Sequence, residues 1–304
     1  MSSLIELAAQ RLEQLQRAGV VIPEMITRVI AQPVSRQPDL EPVFANKAAP
    51  SPAQTLSSSR HVELDLEALA ATGIVTPNAP RSQTGDQYRV IKRPLISNAR
   101  GKGVPILNHG NLIMVTSSLA GEGKSYTSVN LAMSIAAELD NTVMLVDADV
   151  ARPSVLKMLG LPPSPGLLDL LEGTADMSSV LLRTNIDKLT VLPSGTPHGR
   201  ATELLASEAM RLLLEDMAER YPDRIIIFDS PPLLLTTEAR VLATQMGQIV
   251  MVVQAGKTLR SDVIRALSTI DACPVRMLLL NKSQTETVSG YGYGYGYGHD
   301  KQTA

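Results

Sequence analysis

Apolar positions follow two rhythms along this chain. From Asn111 onward, short apolar runs alternate with longer segments of helical period. The runs are Leu112–Thr116, Thr142–Asp147, Leu189–Pro193, Arg224–Asp229, Ile249–Gln254 and Arg276–Leu280. Helical spacing marks Tyr126–Leu139, Glu203–Glu219 and Arg260–Asp271. Strands apolar on both faces, with helices between them, predict an α/β fold: a mostly parallel sheet covered by helices on both faces.

Upstream the rhythm changes. Ser3–Ala18 places Leu4, Leu7, Ala8, Leu12 and Leu15 near one helical stripe, and Gly19 supplies a stop. That stripe needs a partner, either the chain's own body or another protein. Gln32–Arg60 is rich in Pro, Ser, Ala and Gln without periodicity and reads as a flexible linker. Val62–Ala71 reads as a short helix closed by Gly73, Thr76–Gly85 as a loose stretch, and Asp86–Ile96 as a basic helix. At the other end Gly290–Gly298 alternates Gly and Tyr, a pattern that builds no core and predicts disorder. The expected organisation is a helical extension over 1–30, a flexible linker with a short helix over 31–85, a catalytic domain over 86–288 and a Tyr-rich tail over 289–304.

Composition narrows the class. At 304 residues and 44% hydrophobic, the chain can bury a core. A net charge of −2, no Trp and only two Phe argue against a nucleic-acid partner. The single cysteine, Cys273, excludes an internal disulfide framework. No apolar run approaches the ~20 residues that span a bilayer, and the first residues do not read as a secretory signal. A cytoplasmic protein is the expectation.

The chemistry centres on Ser117–Ser125, S-S-L-A-G-E-G-K-S, set between an apolar run and a helical segment. Strand, Gly-bearing loop ending in Gly-Lys-Ser, then helix is the layout of a phosphate-binding loop. Glycines let backbone N–H groups turn toward an anion, and the helix start adds its free N–H groups and positive dipole end. Ala120, Gly121, Glu122, Gly123, Lys124, Ser125 and Tyr126 are the nucleotide-binding candidates. Lys124 would reach the outer phosphates and Ser125 would sit on Mg²⁺. Ser118 stands where the first Gly of the usual pattern is expected.

Two further strands end in aspartate. Val143–Val146 lead into Asp147-Ala148-Asp149, and two carboxylates two apart on an extended segment share a face. Ile225–Phe228 lead into Asp229, the Walker B arrangement that holds Mg²⁺. In a parallel sheet, ligands collect at the carboxyl ends of the strands, and all three aspartates lie there. Asn281, at another strand end, reads equally as a contact to a purine base or as a turn former.

These residues resemble the bacterial protein-tyrosine autokinases of exopolysaccharide and capsule assembly, above all the stand-alone cytoplasmic type that includes exosortase-linked members. The likeness rests on Gly121–Ser125, on D-A-D-V-A-R-P at Asp147–Pro153, on I-I-I-F-D-S-P-P at Ile225–Pro232 and on the Tyr-rich tail. It covers roughly Asp86 to the C-terminus. It implies a P-loop NTPase fold using ATP and Mg²⁺, with Lys124, Asp147, Asp149 and Asp229 catalytic. Ser125 and the three aspartates would position the metal, and Asp147 and Asp149 would help deprotonate the acceptor. The acceptors would be Tyr291, Tyr293, Tyr295 and Tyr297. Asp86-x-x-Arg89-x-x-Lys92 resembles the family's ring-assembly element, so the resemblance also implies a homo-oligomeric ring. A membrane polysaccharide co-polymerase as activator and a cognate tyrosine phosphatase complete the implied partners.

Two departures stand out. The family often carries Arg where Ala151 stands, with Arg152 one place later here: either Arg152 substitutes or that contact is missing. Leu119 occupies the place where related partitioning and cell-division ATPases carry a second lysine. The competing reading, a P-loop ATPase switch without kinase activity, uses the same loop and aspartates with water as nucleophile. The missing lysine and the Tyr-rich tail weigh against it.

Overall fold

The computed structural model describes residues 60–77, 80–101, 107–220 and 223–283. The Ser3–Ala18 stripe, the linker before Arg60 and the Gly–Tyr tail lie outside the described residues.

Eight strands form one sheet: β1 (Arg60–Val62), β2 (Leu112–Ser117), β3 (Thr142–Asp147), β4 (Leu182–Thr184), β5 (Leu189–Leu192), β6 (Arg224–Asp229), β7 (Gln248–Gln254) and β8 (Val275–Asn281). Ten helices lie among the described residues: α1 (Leu66–Ala71), α2 (Gln83–Ala99), α3 (Lys124–Ala136), α4 (Val155–Met158), α5 (Leu167–Leu171), α6 (Met177–Val180), α7 (Ala201–Leu205), α8 (Glu208–Arg220), α9 (Glu238–Ala243) and α10 (Arg260–Leu267). The strand order is β1-β4-β5-β3-β6-β2-β7-β8. Pairing is parallel throughout except between β4 and β5.

The six strands expected from apolar runs are all present; in β2, β3 and β6 the side chains alternate between two cores, whereas the edge strand β8 leaves Leu278 and Leu280 exposed. Leu112, Met114, Met144, Val146, Ile226 and Phe228 pack on one face with α8 and α9. Ile113, Val115, Val143, Leu145, Ile225 and Ile227 pack on the other with α2 and α3. A sheet buried on both faces explains why these runs carry no polar alternation.

Three expectations need correction. Residues 60–85 are not only linker. Arg60–Val62 pairs with β4, and Leu64, Leu69 and Ile74 are buried in the core. Asn185 exchanges two 3.0 Å hydrogen bonds with the backbone of Leu64, and Asn130 accepts the Val75 N–H at 2.7 Å. The folded body therefore includes residues well before Asp86.

The helix expected over Glu203–Glu219 is two helices, because the Ser207 hydroxyl accepts the Met210 N–H at 3.3 Å and starts a new helix there.

Lys92 is the third case. It shares the buried stripe of α2 with Gly85, Tyr88 and Leu95. Its ammonium bonds the Ser134 carbonyl at 2.5 Å and pairs with Glu138 at 2.6 Å. Of the proposed assembly element only Asp86 and Arg89 face outward, joined to each other and to Arg81.

β2 is the topological switch point: β3 lies beyond β6 on one side of it and β7 on the other. The crevice at the carboxyl end of such a strand is where a parallel α/β sheet takes its ligand. The Ser118–Gly123 loop sits there, between β2 and α3.

Candidate active site

The loop's shape requires its glycines. Gly121 and Gly123 have φ of 83° and 100°, and a Cβ on Gly123 would meet the Asn281 amide nitrogen at 2.1 Å. Gly123 is the residue before α3, so the free N–H groups of the helix start face the crevice. Ser118 replaces the first glycine without a positive φ. It is fully buried, and its hydroxyl has no partner among the described residues.

Parallel pairing of β2, β6 and β3 brings the aspartates to this loop. Asp147 and Asp229 are register partners at the ends of β3 and β6. Lys124 lies between carboxylates, its Nζ 2.5 Å from Asp149 Oδ2 and 4.0 Å from Asp229 Oδ1. The Ser125 hydroxyl is 3.3 Å from the same Nζ. Asp229 also accepts from the Ser128 hydroxyl at 3.1 Å. Asp147 Oδ2 takes the Ser154 and Val155 N–H groups at 3.0 Å each and so caps α4.

Two oxygens are left over. Asp147 Oδ1 and Asp229 Oδ2 are buried without a hydrogen-bond partner. Burial pushes the Asp147 carboxyl up to about 7, with the neighbouring Asp229 charge adding to it. Burial raises Asp229 as well, opposed by Lys124. An unpartnered buried carboxylate is costly. Two carboxylates beside one ammonium, a third paired in register with Asp229, and two oxygens unspent suit a divalent cation. Among the described residues no three acidic, His or Cys side chains form an all-protein cage. Mg²⁺ is usually bound by one or two carboxylates plus substrate phosphates.

A cavity of about 380 Å³ opens beside the lysine, lined by Ala120, Gly121, Lys124, Asp149, Ala151, Arg152, Pro232, Leu235 and Thr236. A second, of about 780 Å³, lies between α2 and β8, where Tyr126 and Asn281 both line it. The structure thus gathers Ala120–Tyr126, Asp147, Asp149, Asp229 and Asn281. Two expected ligands are also engaged elsewhere. The Tyr126 hydroxyl donates to the Gly73 carbonyl at 2.6 Å, and the Asn281 amide donates to the Glu122 carbonyl at 3.0 Å.

Sequence reasoning missed two participants, Thr258 and Lys282, and read Glu122 only as part of the nucleotide-binding loop. Glu122, 3% exposed, accepts the Leu119 N–H at 2.8 Å and bonds the Thr258 hydroxyl. Lys282 donates to the Gly121 carbonyl at 2.7 Å. Thr258 and Lys282 stand in segments with no motif to flag them; the position of Lys282 directly after a strand end was the available signal.

Comparison with known proteins follows from this geometry. A family model described as "ParA: NUBPL iron-transfer P-loop NTPase" matches residues 108–189. The tyrosine-protein kinase YwqD of Bacillus subtilis is 30% identical over 205 residues, covering 67% of this chain and 83% of that protein. This chain belongs to the bacterial tyrosine-protein kinases. CpsD of Streptococcus agalactiae, another tyrosine-protein kinase of the family, is 34% identical over 175 residues, 56% of this chain and 75% of its own length. The crystal structure of the VpsO kinase domain superposes with a TM-score of 0.54 at 26% identity, covering 64% of this chain and 94% of that domain. The ParA-type match is confined to the front half of the P-loop unit. The kinase relatives extend well beyond it, so the kinase family is the better placement.

Proposed function

We propose that this protein is a MgATP-dependent tyrosine autokinase whose acceptors are Tyr291, Tyr293, Tyr295 and Tyr297. The observation that carries the reading is Lys124, held between Asp149 and Asp229 under a glycine loop and open to a cavity of about 380 Å³. The loop N–H groups and Lys124 bind the phosphates, and Lys124 exchanges Asp149 for a phosphate oxygen as nucleotide enters. Ser125 and Asp229, helped by Asp147, would hold Mg²⁺. Bound there, the metal would supply neutralisation of phosphate charge. The larger cavity beside Tyr126 and Asn281 is the space we assign to the nucleoside.

The bond between the γ-phosphorus and the β,γ-bridging oxygen breaks, and a bond to the tyrosine oxygen forms, leaving ADP. The phenolic proton must go to a base, because a phenol keeps it up to a pKa of about 10. Asp149 lines the open cavity and loses its ammonium partner when phosphate arrives, so it is placed to take that proton. One Asp147 oxygen caps α4 and braces the site, which leaves its Oδ1 for the metal.

The cellular setting we propose is regulation of exopolysaccharide synthesis and export in the cytoplasm. A membrane polysaccharide co-polymerase would activate the kinase, assembly would be as a ring, and a tyrosine phosphatase would reset the tail. Support comes from the family and from the Tyr-rich tail. Among the described residues no helix is long and apolar enough to cross a membrane.

Purified protein incubated with MgATP and probed for phosphotyrosine tests the reading. Strong signal is expected from the wild type. Lys124→Met should lower it by about 100-fold or more, as removal of a transition-state donor does. Replacing the four tail tyrosines by Phe should remove most of it. A full signal from the tail variant moves the acceptor elsewhere, and ATP hydrolysis without any phosphotyrosine supports the switch ATPase.

A further inference from the structure

The phosphate loop is not held by its own residues alone. Two of its members, Gly121 and Glu122, are tied to the end of β8 and to the connection after β7. Lys282 Nζ donates to the Gly121 carbonyl at 2.7 Å, and Asn281 Nδ2 donates to the Glu122 carbonyl at 3.0 Å. The buried Glu122 side chain bonds the Thr258 hydroxyl, which in turn accepts the Gln254 N–H at 3.1 Å.

The consequence follows from peptide geometry. In a trans peptide unit the carbonyl of one residue and the N–H of the next point in opposite directions. Holding the Gly121 carbonyl outward therefore aims the Glu122 N–H inward. Holding the Glu122 carbonyl outward aims the Gly123 N–H the same way. Neither N–H finds a protein acceptor among the described residues. Successive inward N–H groups make an anion-binding concavity.

The latch is itself built with some strain. Lys282 has a φ of 56°, a left-handed conformation unusual for a residue with a long side chain. The Asn281 side-chain oxygen accepts the Lys282 N–H at 2.9 Å and supports that turn. Gly123 has no room for a Cβ because the Asn281 amide fills the space. The turn brings the ammonium onto the loop.

We infer that Asn281 and Lys282 are positioning residues that preorganise the phosphate loop by pinning the Gly121 and Glu122 carbonyls away from the nucleotide. The role rests on the loop binding phosphate, as proposed above, and needs no kinase step. It assigns Asn281 to the loop backbone and not to the base. It also makes the end of β8, from which residues 284–304 continue, part of the nucleotide site.

The test separates base recognition from loop shape by using two probes, MgATP and magnesium tripolyphosphate, which has phosphates but no base. Binding to the full chain is measured by calorimetry, and the melting temperature is measured without ligand. Lys282→Met and Asn281→Leu should each weaken both probes by about tenfold, the cost of one good hydrogen bond to an oriented group. Lys282→Arg should recover most of the loss. In turnover the deficit should appear in KM for ATP more than in kcat, with the ligand-free melting temperature little changed.

If Asn281→Leu weakens ATP but leaves tripolyphosphate unchanged, Asn281 reads the base and the inference fails for it. If Lys282→Met lowers the melting temperature while both affinities hold, the latch is only structural and the inference fails. A wild type that binds both probes but forms no phosphotyrosine overturns the kinase reading and leaves this one standing. A wild type that binds neither overturns this one.

Discussion

Asp147 carries a stability signature of its own. The folded state holds its carboxyl up at about 7, against 3.8 in an unstructured chain. Between those values the folded protein keeps a proton that the unfolded chain has released. Unfolding free energy therefore falls as pH rises through that window, and the contribution is gone above it. Without magnesium or nucleotide, the melting temperature should drop between about pH 5 and about pH 8, and Asp147→Asn should flatten the slope. A melting temperature that climbs over the same range contradicts the burial argument.

Arg152 poses a sharper question for catalysis. Ala151 and Arg152 both line the smaller cavity, and the guanidinium has no protein partner among the described residues. Its backbone N–H is fixed by Asp149 at 3.0 and 3.2 Å, which points the residue at the site from a rigid anchor. We expect Arg152→Ala to lower phosphotyrosine formation at saturating MgATP by about tenfold or more, with ATP affinity nearly unchanged, because the charge acts on the transferring group. Moving the arginine back one place, Ala151→Arg with Arg152→Ala, should restore part of the rate. Equal activity in all three proteins would mean that the position does not matter. Lys124, Asp149 and Asp229 were legible from the sequence because each stands at a strand end or loop whose neighbours announce it. The lysine–carboxylate pairing was not, because spacing along the chain says nothing about which side chain meets which across a crevice.

At the scale of elements, α2 shows how a motif can mislead. Asp86, Arg89 and Lys92 sit three apart and suggest one functional face. The helix has a second pattern through the same residues: Gly85, Tyr88, Lys92 and Leu95 are its buried stripe. Burial won for Lys92, whose ammonium is paid off by Ser134 and Glu138. The two roles separate by mutation. Lys92→Met should cost about 1–3 kcal/mol of stability, the loss of a charge-assisted hydrogen bond that leaves a buried carbonyl short of a donor, and leave the oligomer alone. Arg89→Glu should leave the melting temperature within a few degrees and shift the sedimentation profile toward smaller species. The reverse pattern would return Lys92 to the assembly face. Long apolar strands were readable for the same reason that this stripe is, through sustained periodicity. The short strands β1 and β4 were not readable, because three residues carry no period and their pairing depends on the rest of the sheet.

At the scale of the molecule, the sheet order sets where the segment that carries the proposed acceptors starts. β8 is the edge strand, parallel to β7, and β7 is parallel to β2, so all three end on the side of the phosphate loop. The chain leaves β8 beside Gly121, held there by Lys282. From Ser283 to Tyr291 or to Tyr297 is 8 or 14 residues. At about 3.3–3.6 Å per residue the reach is about 26–50 Å, enough for the same molecule's cavity or a neighbour's. Distance does not choose between them, and the resemblance to the ring-forming autokinases favours transfer between molecules. Mixing Lys124→Met protein, which keeps its tail, with active protein cut after Ser283 should give phosphotyrosine on the inactive chain. The initial rate should rise with the product of the two concentrations. Phosphotyrosine confined to active full-length protein, at a rate per molecule independent of dilution, would place acceptor and site in one chain.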